Sequence, residues 1–113
     1  MWIKDEQVQV EWQANPSVEE LAKICQDHDI VVDMEMYGGF EQVGELGFNV
    51  TRKDQQTRTS SGDIVLYSGN QIVVFYGSNS WAYTRLGKIV DKNKEEMRRL
   101  LGNGNVKIVL KAG

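Results

Sequence analysis

One segment in the middle of the chain constrains the fold more than any other. Two runs of β-branched and aromatic residues, 63–67 and 71–76, are separated by the short polar sequence Ser68-Gly69-Asn70. Such runs favour extended backbone, and a glycine followed by an asparagine favours a tight turn between two strands. The segment therefore predicts an antiparallel β-hairpin with its turn at Gly69 and Asn70.

Four further stretches alternate apolar and polar residues, as is typical of strands with one buried face. They are residues 7–12, 30–37, 83–90 and 106–110. The region from residue 40 to residue 61 is polar and contains several glycines, so we predict long loops there, near one rim of the fold. Within that region we predict only a short strand at residues 48–50.

Two short helices are predicted between these strands. Asn15 caps the first helix and Pro16 occupies its first position. Its apolar stripe has helical spacing and consists of Val18, Leu21, Ala22 and Cys25. Asp91 caps the second helix, which runs to about Leu101 and ends at Gly102 in the left-handed conformation.

Chain length and element order together predict the architecture. A chain of 113 residues forms about one domain, so we expect a single domain over residues 1–113. At least five strands, joined mostly by hairpins and accompanied by only two short helices, favour a mainly β fold. Closure removes exposed edges, so we expect a closed β-barrel.

Charge is distributed unevenly along the chain, although the formal net charge is only −3. Residues 1–50 carry eleven acidic and two basic residues, and residues 51–113 carry five acidic and eleven basic residues. Strands from the two halves that lie side by side would largely cancel these charges. The basic residues form no compact stripe interleaved with aromatics, so we expect no nucleic-acid partner.

The cysteine and histidine content and the distribution of apolar residues exclude several other classes of protein. Cys25 is the only cysteine and His28 the only histidine, so neither an internal disulfide nor a recognised zinc spacing is possible. No apolar run approaches a membrane span and the N-terminus has no signal-peptide core. We therefore expect a protein of the reducing cytoplasm without a membrane partner. Its oligomeric state is left open.

Residues 62–67, 72–76 and 83–89 together resemble the core of the bacterial cyclophilin-like domain family. The order of the upstream strands and helix extends the resemblance to about residues 7–91. The resemblance implies a cyclophilin-like β-barrel, and the best-known proteins with that barrel isomerise Xaa-Pro bonds. Such catalysis needs an apolar cup for the proline ring and a donor, usually arginine, near the amide.

The sequence departs from the cyclophilin isomerase pattern. The pattern groups phenylalanine, histidine and arginine ahead of a phenylalanine-methionine segment, whereas residues 36–40 share only the methionine, the paired glycines and the aromatic residue. The isomerase signature is therefore not present. In addition, no glycine-rich phosphate loop lies between a strand and a helix, so no flavin or other cofactor is expected.

We select seven candidate ligand-binding residues and no catalytic or metal-binding ones. They are Met36, Phe40, Phe48, Arg52, Arg58, Trp81 and Tyr83. The first hypothesis is a non-catalytic or weakly active barrel that binds a small or peptidic ligand in a cleft between the middle loops and the Trp81 loop. The alternative is a peptidyl-prolyl isomerase, with Arg52 or Arg58 as donor and Met36, Phe40 and Phe48 as the cup. A third hypothesis is a protein-interaction module that docks through Trp81.

Overall fold

A computed structural model describes residues 1–112, which form two β-sheets and two helices. The smaller sheet has the order β2-β1-β11-β4 and consists of β1 (Trp2–Ile3), β2 (Glu6–Gln7), β4 (Ile30–Asp33) and β11 (Lys107–Leu110). The strands of the larger sheet are β3 (Val10–Trp12), β5 (Glu35–Tyr37), β6 (Glu41–Glu45), β7 (Gln55–Arg58), β8 (Asp63–Tyr67), β9 (Gln71–Phe75) and β10 (Ser80–Ile89). Their order is β3-β10-β8-β9-β6-β5, and β7 pairs with β10. The predicted mainly β class is confirmed.

The predicted closed barrel is not confirmed, because neither sheet closes on itself within residues 1–112. The single strand predicted at residues 30–37 is divided into β4 and β5 at Met34. The Met34 side chain is buried and its backbone N–H donates to the Val106 carbonyl at 2.8 Å. At this break the chain passes from the smaller sheet to the larger one.

The predicted hairpin is confirmed as β8 and β9, which pair in antiparallel register from Ile64 opposite Val74 to Tyr67 opposite Gln71. The two turn residues with positive φ are Ser68 and Gly69, so the turn lies one residue earlier than predicted. β10 then pairs with β8 over its second half and with β7 over its first half. It begins three residues before the predicted strand because β7 supplies a partner there.

The first helix is confirmed as α1 (Pro16–Asp27), and Asn15 accepts a hydrogen bond from the Val18 N–H. The second helix, α2 (Lys94–Leu101), begins later than predicted. Asn93, rather than Asp91, is its cap, and forms a reciprocal capping box with Glu96. Gly102 has a φ of −92°, so the predicted left-handed end is wrong. A Cβ atom at Gly102 would lie 2.6 Å from the Arg98 carbonyl oxygen, and close approach therefore explains the glycine.

The middle region contains strands that the sequence did not reveal. The short strand predicted at residues 48–50 is wrong, because this segment forms no ladder and Val50 makes a single backbone bond to the Gly69 carbonyl. The strands are instead β6, which pairs with both β5 and β9, and β7, an exposed polar strand. β6 contributes Glu41 and Val43 to the candidate site, and β7 pairs with the part of β10 that carries Trp81 and Tyr83.

Acidic residues of the first half of the chain lie close to basic residues of the second half, as predicted. Glu6 forms salt bridges with Lys92 at 3.3 Å and with Arg99 at 3.2 Å. Lys107 and Lys111 lie within salt-bridge distance of Asp33 and Asp29. Arg85, by contrast, pairs within the second half of the chain, with Asp63 at 3.2 Å.

The hairpin of the larger sheet is buried on both of its faces. One face contributes Ile64, Leu66, Ile72 and Val74 to the main core, which also contains apolar residues of both helices and of the smaller sheet. The other face forms a separate apolar cluster made of Val65, Val73, Phe75 and Tyr83, with Phe40, Val43 and Tyr67 packed against it. This second cluster positions the candidate site.

Candidate functional site

An open cleft of about 760 Å³ lies over the second apolar cluster, and we call it the aromatic cleft. The strands β5, β6, β8, β9 and β10 contribute to its wall, together with the segments before β6 and β10. Its lining residues are Tyr37, Gly38, Phe40, Glu41, Val43, Tyr67, Gln71, Val73, Asn79, Trp81 and Tyr83. A concave apolar surface with a few polar groups is the usual form of a small-molecule site.

Five aromatic rings form a continuous chain at the aromatic cleft: four of them line it, and the fifth, Phe75, is fully buried and connects them. Tyr37 meets Phe40 edge-on at 6.2 Å between ring centroids, and Phe40 stacks on Phe75 at 6.5 Å. Phe75 contacts Tyr83 at 5.8 Å, and Tyr83 contacts Tyr67 at 6.1 Å. Because each ring is held by its neighbours, the surface is formed before any ligand binds.

Glu41 places a carboxyl group within the largely apolar lining of the cleft. The residue is only 6% exposed, and among residues 1–112 its carboxyl forms neither a hydrogen bond nor a salt bridge. Burial raises the pKa of Glu41 to about 7, because removal from water disfavours the charged form. The Glu41 carboxyl therefore keeps its proton to a higher pH than an exposed glutamate does.

Asn79 fixes the position of the Tyr83 phenol. The Asn79 side-chain amide donates to the Tyr83 hydroxyl oxygen at 2.9 Å. The backbone of Asn79 is itself held by Thr59, with its N–H donating to the Thr59 hydroxyl and its carbonyl accepting from the Thr59 N–H. Burial raises the pKa of Tyr83, the hydrogen bond from Asn79 lowers it, and the nearby Glu41 raises it further. The phenol is therefore protonated at neutral pH and can donate a hydrogen bond.

Three of the seven predicted site residues line the aromatic cleft: Phe40, Trp81 and Tyr83. Phe48 is half-buried and packs against the main core instead. Met36 lies on β5 outside the cleft lining, with its sulfur 3.1 Å from the Gly104 nitrogen. The apolar cup imagined for an isomerase, made of Met36, Phe40 and Phe48, is thus distributed over separate surfaces.

The two predicted arginines lie outside the cleft lining as well. Arg52 is exposed and its guanidinium is 3.5 Å from the Asp54 carboxylate. Arg58 is paired across the ladder with Ser80, whereas Trp81 is paired with Thr57. Since paired residues share a face and successive residues alternate, Arg58 projects from the opposite face to Trp81.

The sequence reasoning missed Glu41, Tyr37 and Tyr67 as members of the cleft. One signal for the second face was present in the hairpin, where residues 64–67 and 72–75 are apolar without alternation. Such continuous runs indicate a strand buried on both faces. No comparable signal marked Glu41, because an acidic residue beside a glutamine is usually solvated.

A second cavity of about 330 Å³ lies beside α1 and is lined mostly by apolar side chains. Cys25 is part of its wall, and its thiol is 3.6 Å from the Leu110 carbonyl oxygen. Burial raises the pKa of Cys25, so the thiol is protonated at neutral pH and chemically inert. Among its lining residues in the described chain, none is acidic.

Comparisons with known proteins address the whole chain rather than the cleft. A sequence model of the cyclophilin-like family matches residues 1–111. Searches of curated proteins and of solved structures gave no significant match. Within the described residues, no helix combines the length and the apolar composition needed to cross a membrane. The family match includes both sheets, both helices and every residue of the aromatic cleft, and the chain therefore belongs to the cyclophilin-like family.

Proposed function

We propose that the protein is a binding module that takes a small or peptidic ligand into the aromatic cleft. The observation that carries this proposal is the chain of five contacting rings, four of which line a cleft of about 760 Å³. Rigid aromatic surfaces supply large contact area with little loss of side-chain entropy. The volume is in the range of cavities that hold small organic ligands.

Binding is favoured over Xaa-Pro isomerisation because the cleft lacks the donor that this reaction uses. Neither Arg52 nor Arg58 is among the lining residues. The amide group of Asn79 faces the cleft, but one of its donors is already engaged by Tyr83. A neutral amide is also a weaker electrostatic partner for the rotating peptide bond than a guanidinium is.

The test is an NMR titration of the ¹⁵N-labelled protein with a panel of capped Xaa-Pro tetrapeptides and neutral aromatic fragments. We expect shifts at the backbone amides of β6, β9 and the first half of β10. Trp81→Ala should weaken binding, because this 57% exposed ring lies at the cleft rim. Trp12→Ala is the matched control, since Trp12 is 39% exposed and lines only the other cavity.

Three results of this titration are distinguishable. Shifts confined to the aromatic cleft and weakened by Trp81→Ala support the proposal. Rapid cis-trans exchange of the peptides in exchange spectra contradicts a non-catalytic role, because uncatalysed isomerisation takes tens of seconds. Shifts that leave the cleft amides unchanged contradict the proposed location.

A further inference from the structure

The starting observation is a buried acid that has no cationic partner in the described part of the chain. Glu41 lies on the face of β6 that also carries Val43, opposite Phe75 of the neighbouring strand. The titratable residues that line the aromatic cleft with it are the phenols Tyr37, Tyr67 and Tyr83. No lysine, arginine or histidine is found among the cleft-lining residues of the described chain.

Basic groups near the cleft are engaged elsewhere. Arg85 follows Tyr83 by two residues on β10, but its guanidinium contacts the Asp63 carboxylate at 3.2 Å and the Arg58 carbonyl at 3.1 Å. Lys88 is also directed to Asp63, at 3.4 Å. Within residues 1–112, the carboxyl of Glu41 therefore has no partner that would compensate its charge.

The cleft wall has the same preference for positive charge as the carboxyl. Buried charges in proteins are normally paired, because an isolated ionised group in an apolar environment is strongly unfavourable. Aromatic faces carry partial negative charge and attract cations placed within about 6 Å of the ring centre. A carboxylate also accepts hydrogen bonds from N–H donors on up to two oxygens.

We propose that the aromatic cleft selects amines, with the ligand's ammonium group against the Glu41 carboxylate and its apolar part on the rings of Phe40 and Tyr83. The inference rests on the proposed binding function and specifies its ligand class. A free amine and the side chain of a lysine in a peptide share this chemistry, so both sources are tested.

The free-amine arm compares 2-phenylethylamine with its neutral analogue 2-phenylethanol by NMR titration at pH 8. We expect the amine to bind at least tenfold more tightly than the alcohol. Glu41→Gln should abolish this preference. Glu45→Gln is the matched control, because Glu45 is an exposed acid on the same strand and lies outside the cleft lining, and the preference should persist in it.

The pH dependence provides a second readout. Alkyl ammonium groups remain protonated below about pH 9, whereas Glu41 changes charge near pH 7. The preference for the amine should therefore decrease several-fold from pH 8 to pH 5.5 in the wild type and stay flat in Glu41→Gln. Burial raises the pKa of the Tyr83 phenol above its ordinary value, so this group stays neutral over the same range.

The peptide arm repeats the comparison with the capped peptide Gly-Ser-Lys-Ser-Gly and its norleucine counterpart. A lysine preference that Glu41→Gln removes supports the inference and assigns a peptidic source, whereas a preference found only with 2-phenylethylamine assigns a free amine. Equal binding of charged and neutral partners in both arms overturns the inference and leaves the proposed function standing. Absence of cleft shifts with all four compounds and with the proline peptides overturns both.

Discussion

Two buried carboxylates of the larger sheet have opposite environments. Asp63, at the start of β8, is 3% exposed and is surrounded by partners: Arg85, Lys88 and the backbone N–H of Ser60, which donates at 2.8 Å. Glu41, at the start of β6, is 6% exposed and has none of these among residues 1–112. The strands that carry the two acids flank the same strand, β9.

The difference distinguishes an acid that is held by partners from an acid that faces the proposed binding cleft. Around Asp63 the chain supplies two cations and a backbone donor, so the carboxylate fixes the start of β8 against β10. Around Glu41 the described residues supply no cation, and the open cleft beside it is lined by aromatic and aliphatic groups together with the amides of Gln71 and Asn79. The same residue chemistry is therefore used for folding at one site and is available for recognition at the other.

The largest expected effect comes from Glu41→Gln. The unfolded chain has an ordinary glutamate pKa near 4.5 and the folded chain has a pKa of about 7, so the folded state binds more protons between these values. Stability therefore falls as pH rises through this window, by roughly 3 kcal/mol at about 1.4 kcal/mol per pH unit. Glutamine has no charge to bury, so the variant should be more stable than the wild type at pH 8 by up to about 3 kcal/mol.

Chemical denaturation at pH 5 and pH 8 measures this effect. At pH 5 the wild-type carboxyl is protonated and resembles the amide, so the two proteins should differ little. The control Glu45→Gln should change the unfolding free energy by less than about 0.5 kcal/mol at either pH, because Glu45 is exposed. A loss of stability in Glu41→Gln at pH 8 would show that Glu41 has a stabilising partner.

The same acid-to-amide change should have the opposite sign at Asp63. Asp63→Asn removes the charge that Arg85 and Lys88 contact, while the amide oxygen can still accept from the Ser60 N–H. Both cations are partly exposed and would be hydrated in the variant, so we expect the free energy of unfolding to fall by about 2 kcal/mol. Urea unfolding at pH 7 measures this loss of stability. An unchanged or higher urea midpoint in Asp63→Asn would contradict the difference proposed between the two acids.

The smallest of these effects is expected for Lys88→Met. The lysine side chain is 50% exposed, and its pairing with Asp63 spans 3.4 Å. Exposed ion pairs contribute little, and Arg85 remains to compensate Asp63, so the loss should be about 0.5 kcal/mol. The effect should shrink further in 1 M salt, and a loss larger than that of Asp63→Asn would contradict the assignment of Arg85 as a partner of Asp63.

The parts of the fold that follow from local chemistry could be predicted from the sequence. Asn15 and Pro16 specify the start of α1, and the apolar runs around Ser68 and Gly69 specify the hairpin. By contrast, β7 is polar and largely exposed, and only its pairing with the early part of β10 makes it a strand. Likewise β6 begins with the buried polar residues Glu41 and Gln42, a pattern that resembles a loop.

The candidate site was predictable only in its aromatic part. Phe40, Trp81 and Tyr83 are large apolar residues beside flexible segments, and such residues suggest a binding surface without reference to tertiary structure. Glu41 belongs to the site because long-range pairing of β6 with β9 places it opposite Phe75. Arg58 does not reach it, because the register of β7 directs the side chain to the other face. These facts depend on strand register, which the local sequence does not specify.

An NMR pH titration of the Glu41 side-chain carboxyl in the ligand-free protein, assigned by comparison with Glu41→Gln, tests whether this acid is buried without a partner. We expect a pKa of about 7, because the group is buried and has no partner in the described chain. Saturation with 2-phenylethylamine should then lower this pKa, since a bound cation favours the charged form. A ligand-free pKa near 4.5 would mean that Glu41 is solvated or paired, and would contradict the role proposed for it.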